Sequence, residues 1–255
     1  MNNDIPDPKK RFSSRVDNYV KYRPSYPSGI INFMQKELAI DKTKSISDIG
    51  SGTGIFTELL LKNNYVVYAV EPNDEMRHAA EKMLGSYPNF KSINGSAEKT
   101  GLDAGSIDLI TAAQAFHWFQ IDKAKKEFKR ILRSNGWTIL IWNTRANDAS
   151  PFMKTYEDFL LKESVDYAKV SHTNIDEKEL KNFFTFDYNK KEIPSKQVFD
   201  FEGLKGRVLS SSYMPDEKAA GFVKMMNSLT DLFDTHNENG FVEFIYKTEM
   251  HFGRL

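Results

Sequence analysis

The sequence predicts an α/β fold with a mostly parallel sheet and helices on both faces. Short apolar segments of β type alternate with helical segments through the first 142 residues. A glycine-rich turn over residues 50–54 joins one strand directly to a helix, and acidic Glu71 follows the next strand. Strands that are separated by helices form right-handed βαβ units, so these observations together indicate a parallel sheet.

The N-terminal part is predicted to be helical. Residues 12–22 carry apolar side chains at steps of three and four residues, which is typical of an amphipathic helix. Arg23-Pro24 should end this helix, because the residue before a proline resists the α conformation. Pro27 favours the start of a second helix over residues 28–38.

The middle of the chain repeats the strand and helix pattern most clearly. The segments between Ser45 and Asn143 have the lengths and the β-branched content expected of buried strands that alternate with helices. The predicted strands are residues 46–49, 66–70, 90–93, 106–112 and 136–142, and the predicted helices are residues 56–61, 73–84 and 120–132.

The pattern changes after Asn143. Residues 184–201 alternate like β-structure around Pro194, which predicts a strand pair or a bent strand. The other predicted elements are helices over residues 151–163, 176–183 and 216–236 and a closing strand over residues 240–247.

Composition excludes several classes of function. The 255 residues are 40% hydrophobic and include 35 basic and 35 acidic side chains, so no net field attracts nucleic acid or an anionic membrane. The absence of cysteine excludes disulfides and thiolate metal sites, and no histidine or acidic cluster indicates a metal. We find neither an N-terminal signal peptide nor a run of membrane-spanning length, so we expect a cytoplasmic protein.

The turn after the first strand is a candidate ligand site. Gly50, Gly52 and Gly54 let the chain turn sharply and let a ligand lie against backbone N–H groups. Glu71 follows about twenty residues later, where an α/β nucleotide site holds ribose hydroxyls. The dinucleotide fingerprint would require a third glycine at Ile55, which speaks against a nicotinamide cofactor.

The run Asp48-x-Gly50-x-Gly52-x-Gly54 resembles motif I of the class I S-adenosylmethionine-dependent methyltransferases. The resemblance implies a Rossmann-like, seven-stranded sheet whose last strand is antiparallel. It also implies that the loop wraps the methionine half of S-adenosylmethionine while Glu71 binds both ribose hydroxyls. The cofactor-binding residues expected on this basis are Asp48, Gly50, Ser51, Gly52, Gly54, Glu71, Pro72, Asn73, Ser96, Ala97, Glu98, Gln114, Tyr22 and Arg23.

The residues after the third strand should contact adenine. Ser96-Ala97-Glu98 falls where the family usually has an acid followed by alanine, so the backbone N–H after the acid position would reach a ring nitrogen. Ser96 stands at the acid position and can still form a hydrogen bond, and Glu98 is the alternative.

Residues 113–119, after the fourth strand, resemble a branch of small-molecule methyltransferases. His117 lies at the carboxyl end of that strand and is the candidate general base, the alternative being a structural histidine that only shapes the pocket. In the family, N-terminal helices often cover the cofactor, and the arginines and tyrosines near Arg23 would suit a carboxylate and a sulfonium. Ordinary packing is the alternative for them. The expected substrate pocket comprises Tyr19, Tyr26, His117 and Trp118.

We therefore expect a single methyltransferase domain over residues 1–255. Residues 12–38 would form lid helices, residues 40–145 the cofactor-binding core, residues 146–215 a substrate-side insertion, and residues 216–255 a closing helix and strand.

The expected reaction is methyl transfer to a small molecule, with O- or carboxyl-methylation favoured. Residues 112–115 lack the Asp/Asn-Pro-Pro-aromatic motif of enzymes that methylate nucleic-acid amino groups, so we expect no nucleic-acid partner and no membrane partner. We expect a monomer or a homodimer. A non-catalytic S-adenosylmethionine-binding module and an NAD-dependent oxidoreductase are the alternatives.

Overall fold

A computed structural model describes residues 22–165, 167, 177–184, 188–211, 213–215 and 217–255. The helix predicted over residues 12–22, and with it Tyr19, therefore lies outside the described residues except for Tyr22.

The described chain contains a seven-stranded sheet in the order β3-β2-β1-β4-β5-β7-β6. The pairs β1–β2, β1–β4, β2–β3 and β4–β5 are parallel, and the last strands are antiparallel. The predicted fold class is thus confirmed. The strands are β1 (Ser45–Ile49), β2 (Val66–Val70), β3 (Phe90–Ile93), β4 (Ile107–Ala113), β5 (Leu132–Arg145), β6 (Asn189–Phe199) and β7 (Val242–Gly253).

Helices connect most of these strands. The described residues form α1 (Gly29–Glu37), α2 (Ile55–Lys62), α3 (Asp74–Leu84), α4 (Ile121–Ile131), α5 (Pro151–Glu163), α6 (Glu177–Phe183), α7 (Phe201–Leu209) and α8 (Phe222–His236). No described helix is long and apolar enough to cross a membrane.

The chain divides into two compact units, which we describe separately. Of the described residues, those in Ser25–Asn143, Ile175–Ile193 and Thr248–Leu255 form the sheet unit, and those in Met1–Pro24, Thr144–Asn174 and Pro194–Lys247 form the helical unit. The sequence predicted a single domain with an insertion, and that division stays a prediction.

The sheet unit is apolar on both faces of its central strands. Along β4 and β5, Leu109 and Ile139 lie in one hydrophobic cluster, whereas Ile110 and Leu140 lie in the other. Side chains of α1 and α2 belong to the first cluster and side chains of α4 and α6 to the second. Because successive side chains of a strand point to opposite faces, this pattern is that of a parallel sheet with helices on both sides.

The helical unit has its own core. Tyr156 of α5, Leu204 of α7, Leu229 of α8 and Phe244 of β7 are all buried in one cluster. The ring of Tyr156 packs edge-on against that of Phe244, with their centroids 4.7 Å apart. Ser150 begins α5 by accepting a hydrogen bond from the N–H of Met153.

The C-terminal half differs from the prediction in three places. Residues 189–199 form a single edge strand rather than a strand pair, and Pro194 is tolerated there because an edge strand has N–H groups that need no partner. Helix α8 begins at Phe222 rather than at residue 216. Helix α7 was not predicted, since Gly203 and Gly206 weaken the helical pattern of its sequence.

Candidate functional site

The candidate site lies where the strand order reverses. In the order β3-β2-β1-β4, the chain continues from β1 to β2 on one side, and β4 lies on the other side of β1. Open α/β sheets bind ligands at such a switch point, beyond the carboxyl ends of the strands. The glycine-rich turn follows β1 directly, so its backbone lies at this point of the sheet unit.

Two glycines of the turn leave no room for a side chain. Gly50 has φ +69°, and a Cβ on it would approach the Cβ of Ala115 to 2.6 Å. Gly54 has φ +87°, and its Cβ would approach Cδ1 of Leu84 to 2.5 Å. Both conformations favour glycine, and both positions bring the turn close to neighbouring loops and helices. The turn ends at Gly54, which is the residue before α2.

Glu71 joins the loops after β1 and β2. Its side chain is 7% exposed, and its Oε2 accepts a hydrogen bond of 2.9 Å from the N–H of Gly52. Its Oε1 accepts one of 2.8 Å from the N–H of Asn73. Asn73 in turn caps α3 by accepting from the N–H of Met76. The carboxylate therefore lies beside the glycine turn, as the sequence predicted.

Asp48 supports the turn from below. Its Oδ2 accepts a bond of 2.7 Å from the hydroxyl of Thr57 on α2, and its Oδ1 accepts one of 3.0 Å from the hydroxyl of Thr111 on β4. Burial raises the pKa of the Asp48 carboxyl to about 6, although the two hydroxyl donors act in the opposite direction. These two bonds hold Asp48 beneath the turn, and a contact of Asp48 with the cofactor stays a prediction.

The segment after β3 forms a tight turn. The backbone N–H and C=O groups of Ser96 and Lys99 bond to each other, and Ala97 is buried between them. Oε1 of Glu98 accepts a bond of 2.8 Å from the N–H of Gln120, the residue before α4. Glu98 thus connects the loops after β3 and β4. A contact of Ser96 or Glu98 with adenine stays a prediction.

Gln114 occupies a strained position at the end of β4. Its φ is +55°, a value that non-glycine residues adopt rarely. Its N–H and its side-chain Nε2 donate to the carbonyls of Ile141 and Asn143, respectively. Its Oε1 is buried and has no hydrogen-bond partner among the described residues. A buried acceptor of this kind needs a donor, which a bound ligand can supply.

His117 and Trp118 lie in a single 3-10 turn after β4. His117 is exposed, and its ring lies 4.8 Å from that of Trp118. Phe116 of the same turn is buried, with its ring 4.8 Å from that of Phe183, so it belongs to the core. The role of His117 as a base or as a wall of the pocket stays a prediction.

The N-terminal candidates fall in both units. Tyr26 belongs to the sheet unit and packs edge-on against Phe56, with their ring centroids 4.9 Å apart. Tyr22 and Arg23 belong to the helical unit, where the ring of Tyr22 lies against Gly206 and Arg23 donates to the carbonyl of Ser210. Their predicted contact with the cofactor stays a prediction.

Sequence reasoning missed the residues that hold the predicted ones in place. Thr57 and Thr111 fix Asp48, Phe119 lies 3.4 Å from the position of a Cβ on Gly50, and Asn143 accepts from Gln114. Thr111 was detectable in principle, since it is the one hydroxyl residue of the mostly apolar strand β4. In the described part of the chain, no group of three or more His, Asp or Glu side chains is placed to hold a metal ion.

Comparison with known proteins agrees with this geometry. The family model described as a methyltransferase domain matches residues 47–140. An uncharacterised methyltransferase-like protein of Schizosaccharomyces pombe is 37% identical over 152 residues, which cover 59% of this chain and 58% of that protein. The malonyl-(acyl-carrier protein) O-methyltransferase of Halalkalibacterium halodurans is 32% identical over 131 residues, covering 48% and 46%.

Structural similarity extends further than sequence similarity. A protein assigned provisionally as a type II methyltransferase, from Anaeromyxobacter dehalogenans, superposes with a TM-score of 0.66 at 18% identity, covering 91% of this chain and 98% of that one. At this level of identity the match shows the fold. The aligned parts span less than two thirds of the length of the two sequence relatives.

Residues 47–140 of the chain match the methyltransferase-domain family, as the resemblance of the glycine turn to class I S-adenosylmethionine-dependent methyltransferases predicted. S-adenosylmethionine is the cofactor that this family implies, which confirms the cofactor expected from the glycine turn. The described residues fit it, since the space beside Gly52 is uncrowded, the carboxylate of Glu71 lies beside the turn, and Gln114 offers a buried acceptor.

Proposed function

We propose that this protein transfers the methyl group of S-adenosylmethionine to a small-molecule acceptor, with O- or carboxyl-methylation favoured. The observation that carries the proposal is the position of Glu71, whose carboxylate joins the backbone of Gly52 and Asn73 at the switch point of the sheet. The name of the Halalkalibacterium relative specifies O-methylation, which supports the favoured acceptor class.

The residues of the sheet unit would bind and orient the cofactor. When bound, S-adenosylmethionine supplies an electrophilic methyl group on a sulfonium, so the acceptor can displace it in line. Glu71 would accept hydrogen bonds from the two ribose hydroxyls. Oε1 of Gln114, which is buried without a partner among the described residues, would accept a bond from the ammonium group of the methionine half.

The protein's further contribution would be positioning and the exclusion of water, since the methyl group is already activated. An ionised carboxylic acid needs no base before it attacks, because its reference pKa is about 4. A hydroxyl acceptor must lose a proton, and His117 is the residue at the end of β4 that could take it.

The test is turnover with methyl-labelled S-adenosylmethionine and fractionated pools of small metabolites. We expect S-adenosylhomocysteine to be released only when one of the metabolite fractions is added. If the labelled product is a methyl ester, mild base should hydrolyse it. Label that survives mild base would assign an ether or an amine instead. If the protein binds the cofactor tightly but no fraction gives S-adenosylhomocysteine release above the enzyme-free background, a non-catalytic binding module would be favoured.

A further inference from the structure

The helical unit contains a group of arginines that the proposed reaction does not use. We define the arginine cluster as Arg145 at the end of β5 and Arg207 on α7. Arg207 is 3% exposed, and the side chain of Arg145 is 13% exposed. Guanidinium groups keep their charge when buried, so both carry it inside the unit.

The partners of Arg207 among the described residues are neutral. Its Nη1 donates to the hydroxyls of Ser210 and Ser211 at 3.4 and 3.1 Å, and its Nε donates to the hydroxyl of Tyr246 at 3.5 Å. Within the part of the chain that the structure describes, no carboxylate lies within 4 Å of its guanidinium. A buried charge without a counter-charge is costly, so Arg207 is poorly explained as a purely structural residue.

The positive charge of Arg145 is only partly balanced by a neighbouring carboxylate. Its Nη2 lies 3.3 Å from the carboxylate of Glu157, which also accepts bonds of 2.8 and 2.9 Å from the hydroxyl of Tyr167. Its guanidinium lies 5.7 Å from the ring centroid of Tyr156 and 5.4 Å from that of Tyr167. Its Nε is buried without a hydrogen-bond partner among the described residues. Among the described residues, the carboxylate of Glu157 therefore pairs with Arg145, and no carboxylate pairs with Arg207.

The pKa of Tyr213 responds to the positive charges of these arginines. Burial by itself would raise the pKa of its hydroxyl, but Arg145, Arg207 and Arg23 together lower it to about 8. At pH 7 the phenol is therefore still largely protonated and does not neutralise the arginines. A bound anion would supply the counter-charge that the described residues do not provide for the two arginines.

We propose that the arginine cluster of the helical unit binds a carboxylate-bearing small molecule. Arg145 and Arg207 would be its charged donors, and the hydroxyl of Tyr213 a neutral one. The planar guanidinium fork matches a carboxylate in two parallel hydrogen bonds, and the rings of Tyr156 and Tyr167 suit a small organic ligand. The proposal rests on the charges of the helical unit alone and is independent of methyl transfer.

The first experiment is calorimetric titration of the full chain with succinate, and with succinamide as the uncharged analogue. We expect saturable binding of succinate only. Arg207→Met should raise the dissociation constant of succinate by about 10- to 100-fold, since it removes hydrogen bonds to a charged group. Arg207→Lys should weaken binding less, because it keeps the charge and loses the fork. The exposed Arg254 offers a matched control, and Arg254→Met should bind succinate as the native protein does.

The second experiment follows the tyrosinate absorbance of the native protein against pH, with Tyr213→Phe to assign the component near pH 8. Bound succinate should move that midpoint upward, because its charge offsets the arginines. This readout does not require Arg207→Met to fold.

A failure of the carboxylate-binding proposal can be distinguished from a failure of the proposed methyl transfer. The affinity for S-adenosylmethionine is measured separately on the same variants and should not change. Native protein that binds neither carboxylate nor phosphate would overturn the proposal. Tighter binding of inorganic phosphate than of succinate would overturn the assignment to a carboxylate. Unchanged succinate affinity in Arg207→Met and Arg207→Lys would place any binding elsewhere.

Discussion

Replacing Glu71 is the perturbation that bears most directly on the geometry of the site. Its carboxylate is 7% exposed and accepts backbone hydrogen bonds from Gly52 and Asn73 at 2.9 and 2.8 Å. Glu71→Ala removes the acceptor that we assign to the ribose and loosens the loops after β1 and β2. A hydrogen bond to a charged group contributes about 1.5–3 kcal/mol, so the S-adenosylmethionine dissociation constant should rise by about 10- to 150-fold.

Two further variants separate these effects. Glu71→Gln keeps one side-chain oxygen for a backbone donor and loses the charge, so it should fall between Glu71→Ala and the native protein. Glu58 is a control on α2, because its carboxylate pairs with Lys62 at 2.9 Å and Glu58→Gln should leave cofactor affinity unchanged. Isothermal calorimetry gives the affinities, and thermal unfolding checks that each variant is folded. Native affinity in Glu71→Ala would refute the reasoning.

Three other predictions concern neighbouring residues. The pKa of Asp48 is about 6 in the folded protein against an ordinary 3.8, so its carboxyl costs stability as the pH rises from about 4 to about 6. The unfolding temperature of Asp48→Asn minus that of the native protein should therefore become larger as the pH rises from about 4 to about 7. A difference that does not depend on pH would contradict the buried position of the Asp48 carboxylate. Gly50→Ala should lower the unfolding temperature more than Gly105→Ala, because both glycines have positive φ but only the new Cβ at residue 50 would clash, with Ala115. Equal decreases in the unfolding temperature would show that this clash does not matter. His117→Ala should lower kcat by less than about tenfold and leave the pH profile of the rate unchanged, because the exposed ring is expected only to shape the pocket. If His117 is a general base instead, kcat should fall by about 10²–10⁴-fold and the rate profile should lose an inflection near pH 6–7.

The core of the fold was predictable because its signals are local. Strands β2 and β3 and helix α5 have the predicted bounds, and β1, β4, α3 and α4 differ from theirs by one residue at an end or at both ends. Apolar periodicity, capping residues such as Asn73, and the glycine turn each act within a few residues of the chain. The position of Glu71 beside Gly52 follows from the same local order of strand, turn, helix and strand.

The helical unit was less predictable, because its organisation depends on distant residues. Helix α7 contains Gly203 and Gly206, and the space beside Gly206 is filled by the ring of Tyr22, which no local pattern indicates. Arg145 and Arg207 lie on different elements and share a buried environment only in the folded chain. Strands β5 and β7 also extend beyond their predicted bounds, since pairing with neighbours lengthens a strand past its apolar segment.

The choice of cofactor is the central claim, and direct titration of the native protein tests it. S-adenosylmethionine and NAD⁺ share an adenosine half, so Glu71 could serve the ribose of either. The third glycine of the dinucleotide fingerprint is replaced by Ile55, which favours S-adenosylmethionine. Calorimetry should show saturable binding of S-adenosylmethionine at one site per chain and much weaker binding of NAD⁺. Tighter binding of NAD⁺ than of S-adenosylmethionine would contradict the account.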